Sequence, residues 1–173
     1  MEGEFAMKLL TIQGSSLLLA AVLLAGCTAY GPDSLAPRSS ISDARARLGA
    51  PSGEYTLPGG GKRLEFARGP MGLHTFMLDF DPSGSLVSWH QALYEENFAT
   101  IKNGMSRDDV LLRLGHPAHQ YGVHAFQQTI WAYRFDSPHC LWFLVGLNPQ
   151  AQVASTSYGL DPRCEAGAKA DRD

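Results

Sequence analysis

The sequence predicts an α+β fold: two tandem units, each a helix-(helix) segment leading into a three-stranded antiparallel sheet, placed behind a signal peptide. Three observations carry this. The pentapeptide RLGAP at residues 47–51 returns as RLGHP at residues 113–117. Downstream of each copy, apolar residues recur at every second position, as a strand with one face on a core requires. Asp81-Pro82 and Asn148-Pro149 then supply turn chemistry between consecutive strands.

The N-terminus reads, from Met7, as one lysine, an apolar run from Leu17 to Leu24, and then Ala25-Gly26-Cys27. The run is shorter than the about 20 residues that cross a bilayer and suits the apolar centre of a signal peptide. Met7 is read as the true start, because Glu2 and Glu4 put acid where an export signal carries positive charge. LLAGC resembles the lipobox of bacterial lipoproteins. That resemblance implies cleavage before Cys27 and acylation of its thiol, with palmitate-type chains worth about 0.8 kcal/mol per buried methylene. The alternative is a signal peptide cut elsewhere, with Cys27 incidental. In lipoproteins an aspartate after the cysteine favours the inner membrane; Thr28 stands there instead, which implies the periplasmic face of the outer membrane.

The expected organisation is a signal peptide over 1–26, a lipidated cysteine and flexible tether over 27–38, a first repeat over 39–94, a second over 95–164 and a disordered tail over 165–173. A formal charge of −3 with no basic patch argues against a nucleic-acid partner. Cys140 and Cys164, an even pair in an oxidising compartment, are expected to form a disulfide. A reactive Cys140 thiol beside His139 is the alternative.

Each helix has start and stop signals. In SSISDARARLGAP and GMSRDDVLLRLGHP, Ser40 and Ser106 can cap, with Asp43 and Asp109 three residues on. Gly49 and Gly115 follow the last apolar residue, where a left-handed backbone is expected, and Pro51 and Pro117 prevent resumption. A shift of 66 residues superimposes these two segments, and a shift of 67 carries Leu64 and Phe66 onto Trp131 and Tyr133. The same shift carries Phe76, Leu78 and Phe80 onto Phe143, Val145 and Leu147, and Leu86 onto Val153. Glu95 to Lys102 reads as an additional helix of the second unit. A unit of about 60 residues buries only about 60% of its unfolded surface, so the two should share a core or an interface. Trp142 and Leu144 fall on the face opposite the inward set. Either other parts of the chain cover them, or they form an exposed apolar patch, a possible partner surface.

FATIKNGMSRDDVLLRLGHP, followed by Trp131-x-Tyr133, resembles the small outer-membrane lipoproteins called BamE, SmpA or OmlA over roughly residues 98–157. That resemblance implies a helix-helix-three-strand fold and a role assisting the machinery that inserts β-barrel proteins. The tandem arrangement is similar to that of β-lactamase inhibitory proteins, which bind enzymes, and to two-copy lipoproteins of β-proteobacteria.

Chemistry-bearing motifs are weak. His116-x-x-His119 is split by Pro117, and His124 and His139 add no recognised zinc spacing. PGGGKR at 58–63 lacks the first glycine and the hydroxyl residue of a phosphate loop, and reads as a turn. No catalytic residue, metal or cofactor is assigned, and no enzyme is expected. The sequence thus points to a lipid-anchored periplasmic protein-binding module in envelope biogenesis, with the β-barrel assembly machinery as the suspected partner. An inhibitor-like module clasping a periplasmic enzyme is the alternative, and a thiol or metal enzyme a remote third.

Overall fold

The computed structural model describes residues 31–67 and 72–164; Cys27, the signal peptide and the expected tail lie outside the described residues. The elements run α1 (Ile41–Leu48), β1 (Gly53–Thr56), β2 (Lys62–Ala67), β3 (Thr75–Phe80), β4 (Leu86–Gln91), α2 (Glu95–Phe98), α3 (Arg107–Leu114), β5 (His119–Val123), β6 (Gln128–Arg134), β7 (Leu141–Leu147) and β8 (Val153–Leu160). Strands β1-β2-β3-β4 form one antiparallel meander, sheet 1, and β5-β6-β7-β8 form another, sheet 2. Each sheet therefore has four strands rather than the three expected. The additional strands, GEYT and HQYGV, carry no apolar alternation; pairing with β2 and β6 makes them strands.

The halves match beyond their element order. Ser40 and Ser106 each accept from the amide of the aspartate three residues on, at 3.1 Å, and that aspartate accepts from the serine amide in return. Gly49 and Gly115 end the helices at φ +87° and +78°, with ψ near −162° and −164°. The positive φ is the left-handed backbone expected; ψ is extended rather than helical, a combination essentially closed to other residues. Asp81 and Asn148 hold equivalent turns, accepting from the amides two and four residues on. Both sheets also change register at equivalent places, Asp79/Phe80 and Gly146/Leu147.

Two expected boundaries move. Pro32–Ser34 form a 3-10 turn with Pro32 buried, and Leu35 packs on the first core, so the expected tether is part of the folded body from Pro32 on. The 66-residue shift explains this, because it places Pro32 and Leu35 on Phe98 and Ile101, both buried in the second half. The expected helix from Glu95 to Lys102 is a single turn, Glu95–Phe98, after which tighter turns close through Thr100 and Ile101.

The described residues form two cores. Ala44 and Leu48 of α1 pack with Leu64, Phe66, Phe76, Leu78, Phe80 and Leu86 on the inner face of sheet 1. Val110 and Leu114 of α3 pack with Phe98, Ile101, Trp131, Tyr133, Phe143, Val145 and Val153 on sheet 2. The second core also takes in Met77, Ala92 and Leu93 from the first half, which ties the repeats into one unit.

Candidate functional site

Strand alternation gives sheet 1 a second, outer face that carries Tyr55, Arg63, Glu65, Met77 and Asp79. A charged strand face ordinarily meets water. Here the end of α3 covers it, and Glu65 has no solvent exposure. Its carboxylate accepts from Ser52 Oγ at 2.9 Å, Tyr55 Oη at 2.6 Å and the His116 amide at 3.0 Å, while His116 Nδ1 lies 2.8 Å from Oε2. Nearby, Arg63 makes a two-pronged pair with Asp79 at 2.6 and 2.7 Å and donates to the Leu112 carbonyl at 2.7 Å. Tyr133 donates to the Gly115 carbonyl at 3.0 Å. An ionised carboxylate is buried at tolerable cost only when its lone pairs are filled, and these donors fill them.

The electrostatics follow. Burial raises the Tyr55 phenol far above its ordinary range, and the hydrogen bond to Glu65 and the charge on that carboxylate push the same way. Tyr133 is raised as well, by burial first and then by Glu65 and Tyr55. His90, across from Met77, is lowered, chiefly by burial and then by Arg63.

A carboxylate behind an imidazole is one half of many catalytic sites, and His116, with its side chain half-exposed, lines a cavity of about 290 Å³ with Ser52, Thr75 and Arg134. Two neighbours that line this cavity are engaged elsewhere. The Ser52 hydroxyl donates to Glu65 rather than to the imidazole, and Arg134 is held by Asp161 at 2.7 Å. Among the described residues no group of three or more His, Cys, Asp or Glu side chains is arranged to hold a metal ion. The arrangement joins the two halves through Arg63 to the Leu112 carbonyl and the His116 amide to Glu65.

Sheet 2 has the equivalent outer face. Leu144 and Trp142 lie on it, opposite the core residues Phe143 and Val145. The registers bring Tyr121 beside Ile130, Ala132 beside Leu144, and Gly146 beside Ser155. Tyr121, Val123, Phe126, Ile130 and Leu144 line an open groove of about 400 Å³ on this face, with Gly146, Gln128, Ser155 and Ser157 completing it. Tyr121 is 41% exposed and Phe126, on the β5–β6 hairpin, 73%. Among the described residues no charged side chain lines the groove. Trp142 lies beside Arg134 and Gly159, half-buried, and its indole N–H is shielded from water without a partner among the described residues.

Cys140 and Cys164 are joined as a disulfide, with Cα atoms 6.4 Å apart. The bridge links the residue before β7 to the segment after β8, where the Asp161 amide also donates to the Cys140 carbonyl at 2.8 Å. A Cys140 thiolate is therefore absent from the oxidised protein. Sequence reasoning missed Glu65, Ser52, Tyr55 and the Arg63–Asp79 pair. One signal was present: the 67-residue shift places Glu65 on Ala132 and Arg63 on Ile130, an odd correspondence for positions facing water.

No protein-family model matches the chain, and no curated protein matches it. Three solved structures are similar at low identity. A Streptococcus mutans protein described as a candidate beta-lactamase inhibitor protein is 12% identical, with a TM-score of 0.32, over 75% of this chain and 87% of its own. A cysteine-rich secretory protein from Staphylococcus aureus is 13% identical, with a TM-score of 0.29, over 75% of this chain and 46% of its own. An extracellular protein containing an SCP domain from Bacillus anthracis is 10% identical, with a TM-score of 0.32, over 79% of this chain and 48% of its own. The chain thus spans about half the length of the latter two. Likeness at this level assigns no activity.

Proposed function

We propose that this chain is a non-catalytic protein-binding module, anchored by acylated Cys27 to the periplasmic face of the outer membrane, and that it acts in envelope biogenesis beside the β-barrel assembly machinery. One observation carries the binding role: the outer face of sheet 2 presents exposed Tyr121 and Phe126 around half-buried Ile130 and Leu144. A grouped apolar patch of this kind on a folded body is characteristic of an interaction site. The anchor rests on the LLAGC segment. The assembly partner rests on the resemblance of residues 98–157 to the small outer-membrane lipoproteins.

The anchor is tested by fractionation. Cys27→Ser should move the protein from the membrane pellet to the soluble fraction with its fold intact, and continued tight pelleting contradicts the anchor. The partner is tested by affinity capture of the lipidated protein from its own envelope. Co-purified barrel-assembly subunits support the proposal, whereas a single soluble enzyme in their place supports an inhibitor-like module instead.

A further inference from the structure

The first half of the chain contains its own example of what such a face receives. Sheet 1 has α1 on its inner side, and the end of α3 lies against its outer side, held where Arg63 meets the Leu112 carbonyl and Glu65 meets the His116 amide. The shift that aligns the halves carries Tyr55 to Tyr121, Arg63 to Ile130, Glu65 to Ala132, Met77 to Leu144 and Asp79 to Gly146. The second face thus keeps the aromatic residue of the first while replacing the three charged side chains Arg63, Glu65 and Asp79 with uncharged ones. We propose that the outer face of sheet 2 docks an amphipathic α-helix of a partner protein, seated as α3 is seated on sheet 1 but through an apolar seam. This rests on the protein-binding reading and adds the occupant.

Three features favour a helix. Gly146 stands where Asp79 stands in sheet 1, and with Gln128, Ser155 and Ser157 it completes an open groove between Tyr121, Phe126, Ile130 and Leu144 instead of a flat sheet. The β5–β6 hairpin brings Phe126 alongside as a wall, from a 3-10 turn that ends at Gln127 with φ +50°. An apolar groove recognises the apolar stripe of a helix at i, i+3, i+4 and i+7, whereas an added strand needs a sheet edge. A second copy of this chain is a poor occupant. On α1, Arg45 and Ala46 replace the Leu111 and Leu112 of α3, and among the described residues the groove holds no carboxylate to receive Arg45.

The test uses the full folded chain and a synthetic helix with leucines at i, i+3, i+4 and i+7, beside a scrambled peptide of the same composition. Resonance shifts on titration locate the site. Shifts confined to residues 121–130 and 142–146, with the scrambled peptide and an Ile130→Glu variant each at least roughly tenfold weaker, support the proposal. Tyr121→Glu provides a second variant if Ile130→Glu loses its urea midpoint. Equal binding of both peptides, no binding up to roughly 1 mM, or self-association through this face overturns it. A photo-crosslinking side chain at position 130 of the anchored protein separates the two levels. Capture of a partner's helical segment supports the helix, capture of a strand or loop overturns the helix alone, and no protein crosslink overturns both readings.

Discussion

Gly49 and Gly115 form a matched pair of probes, because they hold the same backbone conformation at equivalent helix ends in different surroundings. Alanine at either position must enter a positive-φ, extended region, which costs about 1–3 kcal/mol. At Gly49 the penalty ends there, since a Cβ would have nothing within 4 Å. At Gly115 a Cβ would stand 2.7 Å from Glu65 Cδ, 2.9 Å from its Oε1 and 3.0 Å from Met77 Cε. Carbon contacts relax at about 3.5–4.0 Å, so the Glu65 carboxylate has to move. Moving it breaks the bond from the His116 amide or from Ser52, at about 1.5–3 kcal/mol for a hydrogen bond to a charged group. Gly115→Ala should therefore lose at least about 1.5 kcal/mol more than Gly49→Ala, and Gly115→Val more again. Urea unfolding reads this as a midpoint lower by about 0.5–1.5 M relative to Gly49→Ala. In a Glu65→Ala background most of the excess should vanish, because only the end of the flexible Met77 side chain remains close. Equal losses at the two glycines, or an excess undiminished without Glu65, would refute the close approach to its carboxylate.

The remaining predictions concern the same seam and the staple beside sheet 2. Folding holds the Tyr55 phenol neutral beyond its ordinary range, while the unfolded chain ionises near pH 10. Above that pH the folded state binds more protons, so stability present below about pH 10 falls as pH rises further. Tyr55→Phe should flatten that alkaline limb, measured as urea midpoints from roughly pH 9 to 11, and an unchanged slope argues against the buried phenol. The disulfide closes a loop of 24 residues in sequence separation. Reducing it, or Cys140→Ser with Cys164→Ser, should remove roughly 3 kcal/mol in the same assay, and a loss under about 0.5 kcal/mol contradicts the staple.

How much was legible in the chain depended on whether a signal was local. Ser40 with Asp43 and Ser106 with Asp109 declare helix starts within four residues, and the alternation through Phe76–Phe80 and Phe143–Leu147 declares strands. The outward placement of Trp142 and Leu144 follows from the same alternation. Strand β1 carries only Gly53-Glu54-Tyr55-Thr56 and β5 is His119-Gln120-Tyr121-Gly122-Val123, so their strand character comes from a partner rather than from their own pattern. Pro32 and Leu35 read as tether because two prolines, a glycine and no periodicity mask a turn whose only signal is its match to Phe98 and Ile101. Glu65 was hidden for a different reason. Alternation puts it on an outer face, and only the arrival of the second half decides that the outer face is dry.

The difference between the two faces also bears on the valence of the proposed docking. On one side α1 turns the Arg45–Glu54 ion pair and exposed Ala46 to solvent, and Gly49 has open space before it. On the opposite side lies the uncharged groove of sheet 2. Head-to-tail contacts between unlike patches propagate into rings or filaments when the two patches fit each other. These two differ in charge and apolar character, so on the proposed docking the layered order that repeats once within the chain is expected to end with one occupant per chain instead of polymerising.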